Sequence, residues 1–246
     1  MASKNLHRTG ITKFVAVVGE IFLSIGVIIL LYVAWYFWFS NVQADVKQDS
    51  MVKEFVQENT PQQDPIPPAE QQKTDPPVLT APAHGETFGV IYIPRFGENY
   101  YRPLVEGTTQ DVLDTLGLGH YKSTVMPGAK GNFAVAGHRQ THGSVLDKIH
   151  TLQPGDKIYV QTKDGFYTYV YRNSEIVLPT NGAVLSAFPG KNSKTSDQSI
   201  LTMTSCNPKF GSEERIIAYS MLDSWQPASA GPPAEIAATV AFLQNS

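Results

Sequence analysis

Cysteine is almost absent from this chain: Cys206 is the only one. A lone cysteine cannot close an internal disulfide, so the fold must be stabilised by its core and the thiol is free for chemistry. Charge is sparse as well, at 17% of residues, with 19 basic and 22 acidic side chains. No stripe of Lys and Arg exists, which argues against a nucleic-acid partner. His138 and His142 stand four residues apart, but no carboxylate or cysteine completes a ligand set at metal-binding spacing. No metal and no cofactor is therefore expected. No internal repeat is found.

Against these absences stands one long apolar run, Phe14 to Phe39, interrupted by Glu20 and a few small polar residues. About 25 helical residues span roughly 37 Å, enough to cross a bilayer with some tilt. The run is too long for a signal-peptide core, and no Ala-X-Ala site follows it. Residues 14–39 are expected to be an uncleaved transmembrane signal anchor. Lys4, Arg8 and Lys13 precede it. Positive flanks stay cytoplasmic, so 1–13 is expected inside and the remainder outside the cell membrane. Tyr32, Trp35, Tyr36 and Trp38 suit an aromatic belt at the outer end.

Residues 40–86 combine Pro61, Pro65, Pro67, Pro68, Pro76, Pro77 and Pro82 with Gln, Asp and Glu. Such a composition buries little surface and stays extended, so an extracellular Pro-rich stalk is expected. The folded domain is expected over 87–224. Strand patterns cover 88–93, 132–136, 157–162, 166–172, 200–205 and 215–222, and Lys163-Asp164-Gly165 gives a hairpin signal. A short helix is expected from Thr109 to Leu116, and Ser144 is expected to cap a turn carrying Val145, Leu146 and Ile149. Many short strands with few helices predict a mainly β, closed or nearly closed barrel. The tail, 225–246, is expected to carry a short amphipathic helix at 235–244 with Ile236, Val240 and Leu243 on one side.

Three strand ends carry reactive groups. Cys206 closes the run Ile200–Ser205, Arg215 opens the next, and His138 follows Asn132–Gly137. A thiol, an imidazole and a guanidinium can act as nucleophile, proton carrier and oxyanion stabiliser. Each has a plainer reading: a cysteine as a small hydrophobe, a structural histidine, a solvated arginine beside Glu213 and Glu214. His120, in Gly119-His120-Tyr121, rivals His138 for the proton-transfer role.

Thr202-Met203-Thr204-Ser205-Cys206 resembles the sortase signature Thr-Leu-X-Thr-Cys, with Met203 for Leu and Ser205 for the second Thr. The segment Gly131–Arg139 resembles the sortase histidine segment. Cys206-Asn207-Pro208-Lys209-Phe210, Arg215 nine residues after the cysteine, and Gly119-His120-Tyr121 are similar to class E sortases of actinobacteria. Asn207 stands where class E members usually carry His. The resemblance covers 87–224 and implies an eight-stranded sortase β-barrel. It implies a cysteine transpeptidase in which Cys206, His138 and Arg215 are catalytic and Tyr121, Thr204 and Ser205 bind substrate. Its partners would be secreted proteins carrying a C-terminal sorting signal and a cell-wall precursor amine as acceptor. A pilin-polymerising role is disfavoured, because only Asp64-Pro65-Ile66 and Asp75-Pro76-Pro77 partly echo the Asp-Pro-aromatic lid motif. L,D-transpeptidases and papain-like peptidases fit the order and spacing of Cys, His and Arg poorly. A non-catalytic membrane-anchored scaffold is the remaining alternative.

Overall fold

The computed structural model describes residues 10–61, 75–191 and 193–246, which divide into two compact units, one ending at Ser40 and one beginning at Asn41. Lys4 and Arg8, on which the expected orientation partly rests, and Asp64-Pro65-Ile66 lie outside the described residues. A helix, α1, runs Gly10–Asn59 and is long and apolar enough to cross a membrane. In the first unit its side chains, Phe22, Leu23, Leu30 and Leu31 among them, are exposed.

The second unit is built on eight strands: β1 (Thr87–Tyr92), β2 (Tyr101–Glu106), β3 (Leu118–His120), β4 (Gly131–Ala136), β5 (Lys157–Gln161), β6 (Gly165–Val177), β7 (Ser199–Asn207) and β8 (Glu214–Pro227). They close into a barrel in the order β1-β2-β3-β4-β7-β8-β6-β5. The pairs β2/β3 and β4/β7 are parallel, and the other pairs are antiparallel. Strands β2 and β3 carry no readable strand pattern. Pro103 interrupts the first, and the second is three residues long. The Lys163-Asp164-Gly165 hairpin forms as its turn residues indicate. A side chain at Gly165 would place its Cβ 2.1 Å from the Gln226 carbonyl of β8, so only glycine fits.

Alternation along the strands builds two cores. Ile91, Leu104, Leu118, Phe133, Val135, Ile158, Val160, Tyr167, Tyr169, Leu201 and Met203 pack together in the main core. Val90, Tyr92, Tyr159 and Phe166, alternating with those residues, form a second cluster with Val52, Phe55 and Val56 of α1 and Ile236, Val240 and Leu243 near the C-terminus. Strands β1 and β5 therefore read as nearly continuous apolar runs because both faces are covered.

The second cluster changes the reading of 40–86 and of the tail. Residues 41–59 are helical, not extended. Ala44, Gln48, Val52, Phe55 and Val56 are buried along one helical stripe. Tyr101 donates to Asp49 at 2.6 Å and Arg102 pairs with Asp45 at 3.0 Å, tying the helix to β2. Farther along, Leu79 packs on the main core, and Tyr167 donates to the Pro77 carbonyl. These parts of the expected stalk are pieces of the folded unit. Helix α2 (Ala237–Gln244) forms in the tail, with Ile236, Val240 and Leu243 inward as the spacing indicates. Val145, Leu146 and Ile149 are buried as expected, but Ser144 caps nothing. Its hydroxyl donates to Asn41, and the helical turn begins at Asp147.

Candidate active site

Strand register brings the three reactive groups to one rim. Strands β4 and β7 run parallel, with Ala136 opposite Thr204. Two bonds carry that pairing past the end of β4: Gly137 N–H donates to Thr204 O at 3.1 Å, and Ser205 Oγ donates to Gly137 O at 2.8 Å. Two residues beyond the Ala136–Thr204 pair lie His138 on one strand and Cys206 on the other. On the other side of β7, Cys206 pairs directly with Arg215 of β8. Cys206, His138 and Arg215 are all half-buried. A Cβ on Gly137 would sit 2.6 Å from Leu118 and Val145, so glycine is what lets the chain reach His138.

Asp114, which no local pattern singled out, completes the histidine's surroundings. It lies in a short helical turn, Val112–Leu116, and its Oδ1 is 2.6 Å from His138 Nε2. A carboxylate there holds the ring in place and keeps the proton on Nε2 in the neutral imidazole. Nδ1 of His138 has no protein hydrogen-bond partner among the described residues and is the nitrogen free to move a proton. Asp114 is the one charged residue in the turn Val112-Leu113-Asp114-Thr115-Leu116, which is the only sequence signal it leaves.

The same residue also stands beside the second histidine of the His138/His142 pair, for which spacing predicts no neighbouring carboxylate. Asp114 Oδ1 is 3.7 Å from His142 Nδ1, and the two imidazole rings are 5.0 Å apart. Burial lowers the His142 pKa below 6.5, with Asp114 opposing the shift.

Glu213 and Glu214 do not compete for Arg215. Glu213 accepts from Ser212 N–H, and Glu214 accepts from Asn207 Nδ2 at 2.8 Å. Arg215 Nη1 donates to the Ser212 and Glu214 carbonyls at 2.9 and 2.8 Å. This pins one arm of the guanidinium and leaves its other N–H groups without a protein acceptor among the described residues. Arg139 is buried and donates to Cys206 O at 3.1 Å and to Asn207 Oδ1 at 2.6 Å. The Arg139–Asn207–Glu214 chain thus ties β7 to β8 and to the loop after β4 on either side of the thiol. It also gives Asn207 a definite structural role.

His120 is excluded from proton transfer. It is 1% exposed; Nδ1 lies 2.6 Å from Glu106 Oε2, and Nε2 contacts Val125 O and Thr124 Oγ1. Tyr121 is half-buried, with its hydroxyl 3.0 Å from Thr204 Oγ1. Thr204 and Ser205 are both buried. Ser205, bonded to Gly137 O, ties β7 to the histidine segment. Thr204 orients the Tyr121 hydroxyl.

The model of the sortase domain matches residues 91–223. Sortase SrtE1 of Streptomyces coelicolor is 31% identical over 88% of this chain, which spans 59% of that relative's length. Among solved structures, the SrtA sortase from Actinomyces oris superposes with a TM-score of 0.64 at 33% identity, covering 67% of this chain and 95% of its own. Sortase E from Streptomyces avermitilis does so with a TM-score of 0.57 at 38% identity, covering 63% and 99%. Domain model, sequence relatives and barrel agree: this chain belongs to the sortase family of cysteine transpeptidases and is class E-like within it.

Proposed function

We propose that this chain is a single-pass membrane enzyme that cleaves a C-terminal sorting motif of the Leu-Ala-X-Thr-Gly or Leu-Pro-X-Thr-Gly type between Thr and Gly. It then joins the freed threonine carbonyl to a cell-wall amine. Residues 14–39 anchor it, the N-terminus is cytoplasmic, and the catalytic domain faces outward, where secreted substrate and acceptor both lie. Tethering enzyme and substrates to one surface raises their effective concentration.

The reading is supported chiefly by strand register: Cys206 pairs with Arg215, and Ala136 pairs with Thr204 two residues before His138 and Cys206. In this mechanism His138 Nδ1 takes the Cys206 thiol proton, and Sγ adds to the threonine carbonyl carbon. The unpaired N–H groups of Arg215 stabilise the oxyanion. The C–N bond then breaks, and Nδ1–H returns its proton to the departing glycine amine, leaving a thioester on Cys206. The acceptor amine loses a proton to Nδ1 and attacks the thioester. The C–S bond breaks, and the thiol recovers its proton. Two easier steps replace one difficult acyl transfer.

The test incubates the full chain in detergent with sorting-motif peptides and an amine and follows products by mass spectrometry. A peptide adduct on Cys206 and loss of cleavage and transfer in folded Cys206→Ala are expected. Undiminished turnover by that variant would overturn the assignment.

A further inference from the structure

The ligating atoms of Asp114, His138 and His142 all lie within 4.8 Å of one another, with Cys206 outside the group. Zinc binds imidazole nitrogen and carboxylate oxygen at about 2.0–2.2 Å, which sets the ligand atoms of a tetrahedral site roughly 3.4 Å apart. Asp114 Oδ1 is 2.6 Å from His138 Nε2 and 3.7 Å from His142 Nδ1, so small side-chain shifts reach that spacing. His142 Nδ1 is inaccessible to solvent and makes no hydrogen bond. A buried nitrogen lone pair or N–H without a partner is costly, and a cation shared with Asp114 would satisfy it. The loop that carries it is pinned: Gly143 N–H donates to Asn41 Oδ1 at 2.8 Å, and Gln48 Nε2 donates to His142 O. Two imidazoles and one carboxylate suit zinc and its neighbours and not magnesium or calcium, which take oxygen ligands.

We propose that Asp114, His138 and His142 form a site for a zinc-like divalent cation whose occupancy switches the transpeptidase off. The cation takes the Nε2 lone pair of His138, and the ring's remaining proton sits on Nδ1. A metal-bound neutral imidazole neither accepts the thiol proton at Nδ1 nor releases that N–H readily to a leaving amine. Activity would need no metal, and a bound metal would inhibit it. The inhibition, though not the binding, rests on His138 being the proton carrier.

The test is a zinc titration of the full chain in detergent, by calorimetry and by amine transfer, with cobalt as a spectroscopic probe. Wild type and Cys206→Ala are expected to bind one zinc with equal affinity, and cobalt to show no thiolate charge-transfer band. His142→Asn suits the residue's φ of 53°, because asparagine tolerates that conformation while being a poor zinc ligand. It should retain zinc-free turnover and resist inhibition, with affinity lowered on the order of tenfold or more. His142→Ala, checked for folding by its melting curve, should behave alike. Loss of binding in Cys206→Ala, or unchanged zinc inhibition in both His142 variants, would place the metal on the thiol and overturn the site. Zinc bound with these preferences but without inhibition would overturn the switch, while the transpeptidase reading stands or falls separately on the Cys206 adduct and on turnover by Cys206→Ala.

Discussion

Replacing Asp114 by alanine removes a residue whose contact with the catalytic machinery runs through His138. The carboxylate is 2.6 Å from Nε2 and is not paired with Cys206 or Arg215. A hydrogen bond to a charged group contributes about 1.5–3 kcal/mol. If that is lost from the transition state alone, kcat falls roughly 10- to 150-fold at 1.36 kcal/mol per tenfold. KM should change little. His138→Ala should lose about 10²–10⁴-fold, the range of general acid–base catalysis. Because Asp114 works through the ring, Asp114→Ala in a His138→Ala background should cost almost nothing further. Such non-additivity marks residues acting as one unit. The assay is steady-state amine transfer for the four proteins, with kcat and KM separated and folding checked by thermal melts. A full kcat in Asp114→Ala, or multiplying penalties in the double variant, would refute the argument.

Val52→Ala or Val56→Ala should each cost about 2 kcal/mol, because both side chains are buried against the barrel. Differential scanning calorimetry should show a fall of roughly 4–8 °C in Tm, and a chain trimmed to 81–246 should melt lower still. Hydrogen bonds from Arg95 hold the Asp156 carboxyl below the ordinary 3.8. That stabilisation is present above about pH 3.8 and is lost as pH falls through the folded value. Arg95→Met should therefore melt lower than wild type at neutral pH, and the gap should close in acid; a gap independent of pH would remove the pair from the explanation. Tyr121 retains acceptor capacity on its phenolic oxygen, so the enzyme should prefer Leu-Ala-X-Thr-Gly several-fold in kcat/KM, on the order of one hydrogen bond of 1 kcal/mol. Tyr121→Phe should erase that preference, and an unchanged ratio would clear Tyr121.

The chain's local patterns carried much of this. The short apolar runs in 88–93 and 157–162, the Asp-Gly turn and the Thr-Met-Thr-Ser-Cys and Ala-Gly-His-Arg segments are sequence-local, and short β-rich runs bounded by turn residues are legible as strands. They sufficed for a β-barrel with Cys206, His138 and Arg215 at strand ends. Spacing along a chain says nothing about which distant residues meet, and there the tertiary structure decided. Asp114 reaches His138 across 24 residues and two strands, so the completed His-Asp-His cluster has no signature in spacing. Spacing leaves His120 as a rival to His138, and only the tertiary structure shows it buried beside Glu106. Residues 41–59 have a polar composition, but three or four residues separate their buried positions. Only the outer apolar faces of β1, β5 and β6 give that stripe something to cover.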